Sequence, residues 1–145
     1  MQVRIRPGVK NHTEAFARFH RVTCDKPFDD GGSDTGMTPE ELLLSAVGCS
    51  AMQHAAAYLR SRGLSLDGFQ LGVSAEPSDS GLGQIAMYVE APGLTAHKRE
   101  AVLKSIEASP LFRTLAKPNG VSLGFLSRVA ENAAIGAGEA PPSLL

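Results

Sequence analysis

Sulfur is scarce in this chain, and no run of one charge stands out. Cys24 and Cys49 are the only cysteines among 145 residues. The opening MQVRIRPG is too short and too polar for a signal peptide. The expectation is therefore a cytoplasmic protein with two thiols that are free or redox-active, or simply inert and buried. The four histidines (His12, His20, His54 and His97) lack metal-ligand spacing with the cysteines, so neither a metal nor any other cofactor is expected. A formal net charge of -1 without a basic run argues against nucleic acid or an anionic membrane as partner. No internal repeat is visible. What remains is 43% hydrophobic residues in a chain the size of one domain, enough to bury a core.

The most organised stretch runs from Thr38 to Gly63. Thr38 suits an N-cap, Pro39 the first helical position, and Glu41 completes a T-x-x-E capping box. Gly63, following Arg60 and Arg62, stands where a left-handed C-cap residue belongs. The residues between are apolar around most of the helical circumference, the pattern of a long buried helix. Its length raises the question of a membrane span. Ser45, Ser50, Gln53, His54 and the alanine-rich second half favour a core helix instead.

Before this helix, residues 1–6 read as a strand, residues 7–13 as a turn and residues 15–24 as a second strand. Residues 25–37 form a loop rich in Asp and Gly. Beyond it, Phe69, Leu71, Val73 and Ala75 alternate with polar residues. Residues 77–81 make a turn, and Ile85, Met87 and Val89 continue a hairpin. Thr95 is placed to cap a second helix with Val102, Leu103 and Ile106 inward, and Pro110 opens a short further turn. Residues 118–120 turn into a last strand carrying Val121, Leu123 and Phe125. The order β-β-α-β-β-α-β implies one α+β domain over residues 1–129, with residues 130–145 a flexible tail. So apolar a central helix needs more cover than one sheet supplies, which points to a homodimer.

The stretches GGSDTGMTPEELLLSAVGCSAM and YLRSRGLSLDGFQLGVSAE, with the later SPLFRTL, resemble the osmotically inducible protein C and organic hydroperoxide resistance (OsmC/Ohr) family. The resemblance implies an intertwined α+β homodimer with two long central helices and sites at the subunit interface. It also implies reduction of organic hydroperoxides by a peroxidatic thiol on the central helix, a resolving thiol near the second helix, and a dithiol reductant. Glu40 matches the family glutamate that helps hold a catalytic arginine. Lys10 and His12 stand where that arginine would lie. The peroxidatic position, eleven residues after Pro39, is Ser50, and the resolving position is Ser109.

Serine forms neither a sulfenic acid nor a disulfide, so the two-thiol cycle cannot run at Ser50 and Ser109. Peroxidase activity is then lost, or relocated to Cys49 with Cys24 as the second thiol. Cys49 is one residue early, about 100° around the helix from the family position. It also lies roughly ten residues into the helix, beyond the reach of the helix dipole. The alternative is a non-catalytic protein binding a hydrophobic small molecule in an interface pocket near Met52, His54, Leu111 and Phe112. A Ser50–His54 hydrolytic pair shares a helical face but has no recognisable orienting acid.

Overall fold

The structure, a computed structural model, describes residues 1–9, 12–79 and 81–116. Strands β1 (Arg4–Pro7), β2 (Thr13–Ala17) and β3 (His20–Cys24) form an antiparallel sheet in that order. A short 3-10 turn (Phe28–Asp30) leads to helix α1 (Pro39–Ser61). An antiparallel hairpin of β4 (Gln70–Ser78) and β5 (Gly81–Glu90) follows, then helices α2 (Ala96–Glu107) and α3 (Pro110–Leu115). The architecture is α+β with antiparallel pairing, as the order of elements implies. The strand expected over residues 121–125, its preceding turn and the tail lie outside the described residues.

Three local expectations are corrected. The single strand read over residues 15–24 is itself a hairpin. Ala17 pairs with His20, so Arg18 and Phe19 form its two-residue turn, with φ +56° at Arg18. No Gly, Asn or Asp marks that turn, which is why the pattern runs through it. The turn read at residues 77–81 is shorter, because β4 continues to Ser78 through an irregularity between Ala75 and Pro77. A bulge is where a strand accommodates a proline, which has no N–H for the ladder. Leu103 does not join Val102 and Ile106 inside: those two, four residues apart, are buried in line, whereas Leu103 is exposed.

Both ends of α1 form as their residues dictate. The Thr38 hydroxyl accepts from Glu41 N at 3.2 Å, and the Glu41 carboxylate accepts from Thr38 N at 2.8 Å. At the other end Gly63, at φ +63°, donates to Arg60 O, and Leu64 donates to Leu59 O. That is the Schellman pairing, and Leu64 turns back onto the core beside Leu59. Thr95 precedes α2 but makes no capping bond with its side chain.

The core gathers around the second half of α1. Ala51, Ala55 and Leu59 pack with Val102 and Ile106 of α2, and Phe69, Leu71, Met87 and Val89 of the hairpin close over them. Small alanines let the two helices approach closely. By length and composition α1 is apolar enough to cross a membrane. In this fold one of its faces instead packs against α2 and β4. Within a single chain the burial is confined to Val47, Ala51, Ala55, Ala56 and Leu59, so the opposite face stays open.

Candidate functional site

The open face of α1 borders a cleft of about 670 Å³. Its apolar wall is made by Met37, Leu44, Met52, Leu71 and Val73, and its polar points are Glu41, Ser45 and Gln53. Helical spacing explains the grouping: residues 41, 45, 48, 49 and 52 recur every three or four positions along one face. Gly48 sets the depth, since a Cβ there would stand 3.2 Å from Val73 Cγ2. The missing side chain lets α1 approach β4 closely. Cys49 lines this cleft and is exposed.

Met37 is held over the cleft by the loop before α1. The Asp25 side chain, 4% exposed, ties that loop together. It accepts from Lys26 N at 2.8 Å, Ser33 N at 3.2 Å, Thr35 N at 3.1 Å and Thr35 Oγ1 at 2.7 Å. These donors stabilise the charged form, the Thr35 hydroxyl most, and lower the Asp25 pKa to about 2. Asp25 N donates to Met37 O, and Cys24 forms a parallel bridge with Met37. Ser45 Oγ donates to Met37 Sδ at 3.6 Å, docking the thioether on the helix.

The residues singled out from the sequence divide among several places. Cys49 and Met52 share the cleft. Glu40 is exposed at the start of α1, and its neighbour Glu41 reaches the cleft while serving the capping box. Ser50 is half-buried and does not line the cleft. Ser109 is fully buried as the N-cap of α3, accepting from Phe112 N at 3.3 Å, so its hydroxyl is engaged structurally. Phe112 borders a separate cavity of about 480 Å³ with Val47, Ile85 and Met87. Val47 and Cys49, two residues apart, point about 200° from each other around the helix, and this keeps Phe112 away from Met52. Leu111 and His54 border neither cavity. His54 Nε2 is buried without a hydrogen-bond partner among the described residues.

The two thiols are not brought together. Both are free. Cys24 lies beside residue 37 at the entrance of α1, where burial, then Glu40 and then Asp25 push its thiol pKa above the ordinary value. Cys49 follows Glu40 by nine residues, a rise of about 13 Å along the helix. A disulfide requires Cα atoms within about 7 Å. Around Cys49, no Arg, Lys or His among the described residues lines the cleft; of those residues Glu41 is its one charged side chain.

Met37 and Asp25 escape a reading based on motifs. The one signal for the knot is an aspartate at a strand end, followed within ten residues by Gly, Ser and Thr whose N–H groups it can collect.

A family model described as OsmC-like protein matches residues 31–123. Curated proteins provide no match. Among solved structures, the fold is similar to the OsmC like protein from Mycoplasma pneumoniae, with 16% identity over 79% of this chain and 86% of that one and a TM-score of 0.68. The organic hydroperoxide resistance protein OsmC from Legionella pneumophila gives 18% identity over 79% and 87%, with a TM-score of 0.58. The organic hydroperoxide resistance protein OhrB of Bacillus subtilis gives 18% over 81% and 90%, with a TM-score of 0.55.

Proposed function

The chain belongs to the OsmC-like protein family, and from that premise we propose that it reduces organic hydroperoxides with one thiol, Cys49, as a cytoplasmic homodimer. The observation that carries this reading is the exposure of Cys49 inside an apolar cleft. Such a cleft suits an alkyl hydroperoxide whose O–O bond must meet a sulfur. The Cys49 thiolate attacks the distal peroxide oxygen, the O–O bond breaks, and the alkoxide leaves as alcohol after taking a proton. The product is Cys49 sulfenic acid. A first external thiol condenses with it, releasing water and leaving a mixed disulfide. A second thiol then frees Cys49 and leaves the reductant oxidised. Ser50 and Ser109 take no part, and the separation of Cys24 supports an external resolving thiol.

The homodimer is supported by the apolar surface one chain leaves open: Ile5 and Val22 on one face of the N-terminal sheet, and Leu43 on α1. Sedimentation analysis tests it; a monomer at tens of micromolar would end the proposal.

Peroxide consumption with a dithiol tests the chemistry. Wild type and Cys24→Ser should turn over an organic hydroperoxide, and Cys49→Ser should not. A second reading rests on the lining of the cleft, in which the described residues place no cation beside Cys49. In that reading the cleft binds a hydrophobic small molecule without redox chemistry. Binding of an apolar fluorophore, displaced by unreactive alkyl alcohols, combined with no peroxide loss in the wild type, would select it.

A further inference from the structure

Six residues in the chain carry sulfur, and three of them, Cys49, Met52 and Met37, line a single cleft. Cys49 and Met52 stand three residues apart on α1, so their side chains emerge on one face with Cβ atoms about 5–6 Å apart. Met37 reaches the same face from the loop. Its Sδ rests at 3.6 Å from Ser45 Oγ, one helical turn before Cys49. Methionine has three rotatable bonds, so both thioethers are free to reorient within the cleft.

A thiol with two thioethers, and no imidazole among the described residues that line the cleft, is a soft donor set. Hard cations prefer oxygen ligands, and Zn(II) sites combine several thiolates or imidazoles, whereas Cu(I) accepts thioethers beside a single thiolate. Glu41 also borders the cleft, but its carboxylate is engaged with Thr38 N. We propose that Cys49, Met52 and Met37 form a three-sulfur site for a soft monovalent cation, Cu(I) or its analogue Ag(I). On binding, a Cu–S bond forms at Cys49, the thiol proton passes to solvent, and each thioether donates a lone pair; no electron is transferred. The loss of that proton makes the affinity rise with pH.

The site stands apart from peroxide reduction, because its assay contains no peroxide. The full chain, kept anaerobic, is titrated with Cu(I) against a chromogenic Cu(I) chelator. One equivalent is expected to bind. Cys49→Ser should abolish it, Met52→Leu and Met37→Leu should each weaken it about ten-fold or more, and Cys24→Ser should leave it unchanged. X-ray absorption should show sulfur alone around the metal. The leucine variants keep side-chain volume, and circular dichroism checks that each is folded. Absence of binding overturns the proposal. So does binding that both leucine variants leave unchanged, since the thiol alone would then suffice. Zn(II) binding as tight as Cu(I) would also overturn it, because a single thiolate without histidine is a poor zinc site.

Discussion

The two halves of α1 are both rich in apolar residues and opposite in fate. From Ala51 to Leu59 the helix is locked between α2 and the β4–β5 hairpin, with Ala51, Ala55 and Leu59 fully buried. From Pro39 to Cys49 only Val47 is buried, and Leu43 and Cys49 lie open. The second half supplies the folding energy. The first half can therefore carry a cleft, a thiol and an uncovered surface without endangering the fold. Apolarity alone does not tell a core residue from one that awaits a ligand or a second subunit.

Substitutions along the helix can break this contrast. The largest loss is expected for Leu59→Ala, about 3–5 kcal/mol in chemical denaturation, because the side chain is fully buried and its removal leaves a cavity. Survival of that variant with near-normal stability would remove the distinction between the halves.

A second prediction concerns the loop that leads into the open half. The Asp25 carboxyl is lowered from 3.8 to about 2. Its contribution to stability is thus fully present above about pH 4 and is lost as the pH falls through about 2. Wild-type stability should decline across that window, whereas Asp25→Asn should be weaker at neutral pH and flatter between pH 4 and 2. Parallel pH curves for the two proteins would contradict the role given to the carboxylate.

Thr38→Ala removes one bond of the capping box and should cost about 1 kcal/mol. The smallest effect belongs to Leu43→Ala. Measured where the chain is monomeric, it should stay within about 0.5 kcal/mol of wild type. The same variant should weaken dimerisation, read by sedimentation.

Much of this was legible beforehand, and for local reasons. The capping box, Pro39 and Gly63 act over a few residues, so Thr38 and Gly63 bracket the observed helix closely. The alternation of Leu71, Val73, Ile85, Met87 and Val89 likewise survives in the hairpin. The site was less legible because its parts come from separate elements. Met37 comes to the cleft that Cys49 lines only through the loop, the bridge to Cys24 and the Ser45 contact. Periodicity along one helix carries no trace of that approach. It marks which residues share a face and leaves open whether the face is covered. The Arg18–Phe19 turn was missed for a related reason: its backbone conformation is held by strand pairing, without a turn-forming residue to announce it.

The knot at Asp25 has a mechanical consequence. It joins the loop's two legs at their base, since Lys26 on one leg and Ser33 and Thr35 on the other meet at one carboxylate. Residues 28–31 beyond it form a tip on the far side of the knot from Met37. That tip is a natural docking port for engineering: a peptide tag or fluorophore grafted there would ride on the molecule while the cleft below kept its shape.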